Sequence, residues 1–322
     1  MWAAGGGVVG VTRIQQVLFA VEQPYMGHPY YVSGNALYSA IARHVDKATR
    51  RRLQVSHGVF VPGEYGSPTD GAISLRGGQK LGQMLPDVEA YEDLFVHRDS
   101  AQRWLSESRP RDAVNTHPLQ RHGNRVAFAA ETLFGRPEEM RSERRRVPWL
   151  VQCYVHADDD AVLPVAEHLL DGIRVGGARN FGLGELSVVD SQLVDLAALD
   201  YSTLEAADAF ELELVTPFVL ESEFPDADAQ SVPWWWAPDE RDATGGVRRR
   251  AERFVDGADV YELGTVDHGQ VVPYSGSKPV ATAKNGVFRV GTHSRFGFGE
   301  LRVRPAGAGR VPEREGRAGG DS

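Results

Sequence analysis

The stretch RVGGARNFGLGELSV at residues 174–188 decides how this chain is divided, because residues 289–303 repeat it as RVGTHSRFGFGELRV. Both copies begin with Arg-Val-Gly and end with Phe-Gly-x-Gly-Glu-Leu-x-Val. They lie 115 residues apart, which is a common length for one domain. A repeat at this spacing indicates duplication of a whole fold unit and disfavours a short solenoid repeat.

The glycines of the two loops suggest a role in binding. Glycine permits positive φ and lets another backbone approach closely, and successive amides in such a turn form a concave surface of donors for phosphate oxygens. A strand follows each loop, whereas a dinucleotide-binding turn leads into a helix, so the pattern disfavours a nucleotide cofactor. A glycine bulge that only curves a sheet explains either loop alone. Two matching copies, each with an arginine or a histidine among the glycines, favour function.

The sequence therefore predicts a phosphate-binding surface formed by both loops, with no cofactor. In the first loop the predicted residues are Arg174, Gly176, Gly177, Arg179, Asn180, Gly182 and Gly184. In the second loop they are Arg289, Gly291, His293, Ser294, Arg295, Gly297 and Gly299.

The charge of the chain is unevenly distributed. The formal net charge of its 322 residues is −9, which by itself counts against a nucleic-acid partner. Only four residues are lysines, however, and arginines cluster in RRR at 50–52, RSERRR at 141–146 and RRRAER at 248–253. Because local potential decides binding, these clusters are candidates for neutralising phosphates. Solvated faces of an arginine-rich protein explain each cluster taken alone equally well.

Composition excludes several other classes. A hydrophobic content of 42% and a charged content of 25% are typical of a soluble globular protein. The N-terminus lacks the basic segment of a signal peptide, and no run approaches the roughly 18 apolar residues of a membrane span, so we expect a cytoplasmic protein without a membrane partner. The single Cys153 excludes an internal disulfide framework and a multi-cysteine zinc site. The histidines and carboxylates show no HxxxH or HExxH spacing, so no metal site is predicted.

Hydrophobic patterning predicts the order β-α-β twice in the first half, which is the split order of a ferredoxin-like sandwich. One helix begins after Ser33, which is placed as its N-cap, and carries an apolar residue at every fourth position. A second helix is predicted over 161–173, behind an acidic run that suits its N-terminus. The predicted strands cover 14–25, 53–61, 126–134, 149–157 and 184–190.

The second half begins after a boundary near 195–208. Strands are predicted over 210–220, near 258–263 and near 286–290, and after the second loop, with a basic helix over 246–255. We therefore predict an α+β fold of two ferredoxin-like (RRM-like) domains. The N-terminal domain covers 1–200 with a long insertion at about 62–125, in which a short helix near 99–107 is possible. The C-terminal domain covers 201–304, and 305–322 forms a disordered tail because it has too little apolar content to pack.

Three stretches carry a resemblance to a known family. GGARNFGLGEL after the predicted helix, and FGFGEL near the C-terminus, resemble the glycine-rich loops of the RAMP superfamily of CRISPR-associated proteins. YYVSGNALYSAIAR similarly resembles the start of the first helix in that superfamily. The resemblance leaves 62–125 and 221–245 uncovered.

The resemblance implies two ferredoxin-like domains whose loops grip CRISPR RNA. Members divide into guide-holding subunits of interference complexes and metal-independent endoribonucleases that cut the precursor transcript. This chain departs from the endonuclease pattern because it carries a full glycine loop in its middle as well as at its end. It also departs from a simple duplication, since a strand-like GVFRV precedes the second loop. These departures favour a noncatalytic subunit of an antiviral effector complex, with CRISPR RNA and other subunits as partners.

Two alternatives stay open. Metal-free RNA cleavage needs a general base and a general acid, and the candidate histidines are His293, His44 and His28, although a structural role explains His44 and His28 as well. Alternatively, the chain is a protein scaffold whose loops contact other proteins and no RNA. The aromatic cluster Trp234–Trp236 fits either stacking on bases or packing in an interface.

Overall fold

The computed structural model of the chain describes residues 12–28, 31–62, 85–98, 116–119, 125–128, 131–134, 145–225 and 247–307. The predicted helix near 99–107, the cluster Trp234–Trp236 and nearly all of the predicted tail lie outside these residues. The fold is a mixed α+β arrangement of mostly antiparallel sheets with few helices, consistent with ferredoxin-like folds.

Antiparallel strands dominate the described part of the first half. They are β1 Arg13–Val21, β2 Tyr31–Val32, β3 Leu53–Val55, β4 Gly58–Pro62, β5 Thr116–Leu119, β6 Arg125–Phe128, β7 Glu131–Phe134, β8 Arg145–Ala157, β9 Ile173–Arg174 and β10 Glu185–Asp195. The main sheet has the order β2-β4-β8-β1-β10-β9, with β3 and β7 also paired to β8, while β5 and β6 pair with each other.

Within the described residues, three α-helices lie in the connections of this sheet. The helices α1 Gly34–Ile41 and α2 Lys47–Arg52 lie between β2 and β3, and α3 Glu167–Leu170 lies between β8 and β9. The central order β4-β8-β1-β10 puts the first and third strands of a β-α-β-β-α-β unit side by side in the middle, as in a ferredoxin-like sheet.

The two faces of β1 have different partners because side chains alternate along a strand. Val17 and Phe19 pack in one core with Leu37 and Ile41 of α1. On the other face, Ile14 belongs to a core that also includes residues of the second half. The sheet is therefore covered by its own helices on one side and partly by the rest of the chain on the other.

The described second half contains two three-stranded sheets. Its elements are α4 Ser202–Glu205, β11 Phe210–Leu214, β12 Phe218–Ser222, β13 Arg249–Asp256, β14 Asp259–Val266, β15 Val271–Pro273, α5 Pro279–Val287 and β16 Leu301–Pro305. One sheet has the order β15-β11-β16, and the other has the order β12-β14-β13. The short α4 lies within the predicted boundary region, with Leu204 buried.

The predicted start of the first helix is confirmed. The Ser33 side chain accepts a hydrogen bond from the amide of Ala36 at 3.3 Å and caps α1. The predicted first helix is nevertheless two helices, because the chain turns after Ile41 and Asp46 caps α2 by accepting from the amide of Ala48 at 2.8 Å.

Three other predicted elements are wrong. The helix over 161–173 is reduced to a 3₁₀ turn and α3, since Pro164 interrupts the pattern and proline lacks the amide that a helix interior needs. The basic helix over 246–255 is β13, in which Glu252 and Phe254 are buried in strand alternation. The strand near 286–290 is instead the last two residues of α5 followed by a turn, so a helix precedes both glycine loops.

None of the helices in the described residues combines the length and the apolar content needed to cross a membrane.

Candidate nucleic-acid interface

The two glycine loops adopt the same backbone conformation. Residues 176, 178, 182 and 184 have φ values of 79°, 56°, 86° and 72°, and residues 291, 293, 297 and 299 have 89°, 61°, 98° and 78°. A 3₁₀ turn occupies the crest of each loop, Arg179–Phe181 in the first and Ser294–Phe296 in the second. The sequence repeat is thus also a structural repeat at these positions, although Arg289 has a positive φ of 68° and Arg174 lies in strand β9.

Each loop is closed on its own half of the chain by equivalent hydrogen bonds. In loop 1, residues 174–184, the amide of Gly184 donates to the carbonyl of Pro24 at 2.9 Å. In loop 2, residues 289–299, the amide of Gly299 donates to the carbonyl of Pro217, also at 2.9 Å. Each proline lies three residues after the first strand of its half and precedes an aromatic residue. The duplication therefore includes this Pro-aromatic segment, which sequence comparison of the loops alone does not reveal.

The loop glycines serve the protein's own backbone, which corrects the expectation that their amides face a ligand. The amides of Gly177, Gly182 and Gly297 donate to the carbonyls of Met26, Arg179 and Ser294 at 2.7, 3.1 and 3.1 Å. A Cβ on Gly184 or Gly299 would lie 1.9 Å from the carbonyl oxygen of Val175 or Val290. These glycine amides are therefore engaged within the protein, and we expect phosphate contact at the loops to come largely from side chains.

The crest of loop 2 is docked on the first half of the chain. The Arg295 guanidinium donates to the carbonyl of Leu53 at 3.1 Å and to the hydroxyl of Tyr38 at 2.9 Å, and it also donates to the carbonyl of Arg50. Phe296 packs edge-on against Tyr38, with ring centroids 5.2 Å apart. Arg295 therefore acts as a link between the halves.

The base of loop 2 is also buried. Glu300 accepts hydrogen bonds at 2.7 Å and 2.5 Å from Arg98, and both side chains are fully buried. Arg289, likewise buried, contacts Nδ1 of His156 at 2.8 Å and donates to the carbonyl of Ser294 at 2.7 Å. Burial lowers the pKa of Arg289 to about 10, and the nearby carboxylate of Glu300 opposes the shift. Of the predicted binding residues, Arg289 therefore lies inside the protein.

Loop 1 presents its crest to solvent. Asn180 is exposed, and 66% of the Phe181 side chain is accessible. Partial burial, and then the neighbouring Arg43 guanidinium, lower the pKa of Arg179. Within the described residues, neither of these two arginines forms an ion pair with a carboxylate. The crest thus carries Arg179 and an accessible aromatic ring, and the charge of Arg43 acts on Arg179.

The duplicated Arg-Glu pair shows how the loops differ. In loop 1, Arg174 and Glu185 form a surface ion pair at 2.8 Å. In loop 2, the equivalent Glu300 is bound by Arg98, while the equivalent Arg289 turns to His156. Arg174 is therefore neutralised by its neighbour, which leaves Arg179 and Arg43 as the cationic groups at this loop. Sequence reasoning missed Arg43 because it lies outside both repeats.

The arginine clusters have different environments. Arg50–Arg52 are exposed on α2, where Arg52 pairs with Asp159. Arg249 and Arg253 are exposed on β13, while Arg250 is half-buried and pairs with Glu252 at 3.1 Å. The side chains of 141–146 lie outside the described residues.

The candidate histidines do not meet at one place. His44 is exposed in the turn after α1. His293 is half-buried, contacts the hydroxyl of Ser222 at 2.8 Å and packs among the rings of Phe254 and Phe296. Burial lowers its pKa. His28 belongs to a different cluster between the halves.

The His28 cluster is a polar network that sequence patterns do not reveal. His28 stacks on Tyr31 with ring centroids 3.8 Å apart, and its Nε2 lies 3.2 Å from the Arg250 guanidinium and 3.7 Å from Glu252. Burial, and next the charge of Arg250, lower the pKa of His28 to about 3. Burial raises the pKa of Glu252. The network joins the segment after β1 to β13.

A metal centre is not apparent in the described part of the chain: no group of three or more His, Cys, Asp or Glu side chains there is arranged to hold an ion.

Comparison with solved structures finds remote similarity. No family model matches the chain, and no curated protein does. A solved Cas6 product complex aligns with 91% of this chain and 99% of that one, at 11% sequence identity and a TM-score of 0.32. At this level of similarity, fold and function have to be argued from the chain's own residues.

Proposed function

We propose that this chain binds CRISPR RNA as a noncatalytic RAMP-type subunit of an antiviral effector complex in the cytoplasm. Its two halves would be ferredoxin-like domains, and loop 1 would face the RNA. The observation that carries the proposal is the exposed crest of loop 1, where Arg179 forms no ion pair with a carboxylate among the described residues. The charge of Arg43 also acts on Arg179 and lowers its pKa. Arginine suits phosphate oxygens.

The net charge of −9 does not oppose this proposal. Several carboxylates near arginines are consumed in internal pairs, such as Glu185 with Arg174 and Glu300 with Arg98. Net charge alone therefore does not decide the matter, because the charges close to a binding surface govern its affinity for phosphate.

The positions of the histidines support a noncatalytic role. A cleaving site needs a base and an acid at one phosphate, whereas His28 and His293 are each packed among the protein's own groups. The rings of Tyr31, His57 and Phe298 lie between them. His44 is exposed in the turn after α1, where its amide donates to the carbonyl of Ile41 at 2.9 Å. The endoribonuclease alternative therefore depends on a single histidine acting with another kind of group.

The decisive experiment incubates the purified full chain with a repeat-containing transcript in EDTA. Tight binding without cleavage is the expected result, and site-specific cuts would establish the endoribonuclease instead. The double variant Arg43→Glu/Arg179→Glu should lower RNA affinity at least about tenfold, because each phosphate contact contributes to the electrostatic free energy of binding. Arg253→Glu, an exposed charge reversal on β13, is the matched control.

The same variants test the scaffold alternative. If the double variant and the control bind RNA with equal affinity, the RNA role of loop 1 is wrong. If the unaltered chain shows no affinity for the transcript while loop 1 variants lose contact with partner subunits, the chain is a protein scaffold.

A further inference from the structure

We propose that loop 2 serves RNA binding indirectly: through Arg295 it holds the short helix α2, whose Lys47, Arg50 and Arg51 side chains bind RNA phosphates. This inference rests on the proposed RNA-binding function and adds a second phosphate-binding surface to it. The three cations of α2 contact the ligand, and Arg295 is a positioning residue that acts through them.

The cations of α2 are available to a ligand. Lys47, Arg50 and Arg51 are exposed, and among the described residues no carboxylate forms an ion pair with any of them. Arg52 differs from them, because it pairs with Asp159. Residues three and four positions apart lie on the same side of a helix. Lys47, Arg50 and Arg51 therefore form one cationic face.

The acidic residue beside this face is engaged by the helix itself. Asp46 is the single acidic residue between positions 43 and 52. Its carboxylate accepts hydrogen bonds from the amides of Ala48 and Thr49 at 2.8 and 3.1 Å, and from the Thr49 hydroxyl at 2.6 Å. Asp46 is thus fixed at the N-terminal end of α2, and the cations follow it toward the C-terminal end.

Loop 2 and α1 together hold the C-terminal end of α2. The last carbonyls of a helix have no partners within the helix. Arg295 donates to the carbonyls of Arg50 and Leu53, and the Tyr38 hydroxyl donates to that of Arg50 at 2.9 Å. The Arg295 guanidinium also lies 4.9 Å from the centre of the Tyr38 ring. Arg295 therefore provides partners for these carbonyls, and its charge suits the negative end of the helix.

The crest of loop 2 is seated closely on the first half of the chain. A Cβ on Gly34 would lie 2.3 Å from the carbonyl oxygen of Phe296, and a Cβ on Gly297 would lie 2.4 Å from Nδ1 of His57. These contacts leave no room for a nucleotide between the crest and the first half. Loop 2 therefore contributes to binding by fixing α2 and not by contacting RNA itself.

The chemistry of α2 favours RNA backbone over a protein as its ligand. None of the exposed large apolar side chains in the described residues belongs to α2 or to the turn before it. Protein interfaces depend on buried aromatic and apolar anchors, whereas non-specific nucleic-acid binding depends on lysine and arginine at phosphates. We therefore expect α2 to bind RNA phosphates without reading the sequence of the bases.

The first test measures the affinity of the full chain for a repeat-containing transcript at several salt concentrations. Lys47→Gln/Arg50→Gln/Arg51→Gln, the triple variant, removes three charges and keeps good helix formers. It should weaken binding at least about tenfold and reduce the slope of log affinity against log salt by about two to three. The single Arg51→Gln should reduce the slope by about one. Arg253→Gln removes one exposed arginine from β13 and, as the matched control, should leave the slope unchanged.

The second test asks whether Arg295 acts through α2. Arg295→Met keeps the length of the side chain without its donors, and it should weaken RNA binding at least about threefold. In the triple variant it should have no further effect, because the face that it positions has already lost its charges. Additive losses would show that Arg295 binds phosphate itself and would overturn the positioning role. Tyr38→Phe removes only one hydroxyl at the same carbonyl, so it serves as the milder variant if Arg295→Met fails to fold.

The outcomes separate this inference from the proposed function. If Arg43→Glu/Arg179→Glu weakens binding while the triple variant behaves like Arg253→Gln, RNA binding stands and the role of α2 is overturned. If the unaltered chain has no affinity for the transcript, the proposed function fails and this inference fails with it. If the triple variant keeps its RNA affinity and loses contact with an acidic protein, α2 belongs to a protein interface and the inference is wrong.

Discussion

At the scale of single residues, the duplication provides matched pairs in which one member is buried and the other exposed. Glu300 is fully buried against Arg98, and Glu185 pairs with Arg174 at the surface. Glu300→Ala should lower the free energy of unfolding by about 3–5 kcal/mol, because it leaves a buried guanidinium without its counterion. Glu185→Ala should cost less than about 1 kcal/mol, because solvent screens an exposed pair. Urea unfolding measures both.

A double variant keeps that prediction testable if Glu300→Ala fails to fold. Arg98→Met/Glu300→Leu removes both charges at once, and an apolar pair of similar volume is often tolerated in place of a buried ion pair. It should therefore be more stable than Glu300→Ala. Equal stability of the two variants would show that lost packing, and not the uncompensated charge, causes the destabilisation.

His28 should make the folded protein sensitive to acid. The pKa of His28 in the folded chain is about 3, below the ordinary 6.5, so the unfolded chain binds its proton first as pH falls. Stability should therefore decline between about pH 6.5 and pH 3, at up to about 1.4 kcal/mol per pH unit for this one group. The groups facing His28 are Arg250, Glu252, Asp267 and His268. His28→Asn should flatten the decline, as urea unfolding at several pH values would show.

The remaining acid sensitivity of His28→Asn should be substantial. Burial also lowers the pKa of His97, to about 4, and that of His156. Both groups resist protonation in the folded chain and add to the same slope. An unchanged slope in the variant would mean that His28 is not held neutral by its surroundings.

At the scale of elements, a close backbone contact makes glycine necessary at one position of loop 1. Gly184 has φ of +72°, and an added Cβ would lie 1.9 Å from the carbonyl oxygen of Val175. Gly182 has φ of +86° but faces open space. Gly184→Ala should therefore cost at least about 3 kcal/mol, and Gly182→Ala about 1–2 kcal/mol from the left-handed conformation alone. Thermal or urea unfolding of the two variants should show this order, and similar costs would contradict the assigned contact.

The sequence predicts a helix or a loop well where residues close in sequence determine its conformation. Ser33 before an apolar period marks the start of α1, and the matching glycines predict two equivalent loops, both of which the structure contains. The strand β13 was predicted as a helix because arginine and glutamate favour helices. The turn after Asp256, at Gly257, and the alternation of buried residues in β13 are the local signs of a hairpin.

The candidate site was harder to predict because its members meet only in three dimensions. Arg43 lies outside the repeats, and its importance comes from the neighbouring Arg179 in loop 1. Arg98 lies in the predicted insertion, where no periodic pattern marks it, yet it binds Glu300 in the other half. The repeat also could not show that the crest of loop 2 docks on α1 and β3 through Arg295, while the crest of loop 1 stays exposed. The two crests share a backbone conformation and differ in the groups that they contact.

At the scale of the whole molecule, the two halves share one core and should unfold together. One buried cluster contains Ile14 and Tyr154 of the first sheet together with Leu212 and Val303 of the second half. The 3₁₀ turn Tyr91–Phe95 contributes three residues to the same cluster. Apolar burial on this scale, together with the buried ion pair across the halves, couples their stabilities.

Native-state hydrogen exchange should give the slowest amides of β1 and of β11 opening free energies within about 1 kcal/mol of each other. Opening of β11 at a free energy several kcal/mol lower would show that the halves are independent units. A fragment ending before β11 should then remain soluble and folded, whereas a shared core requires that it expose Ile14 and Tyr154 and aggregate.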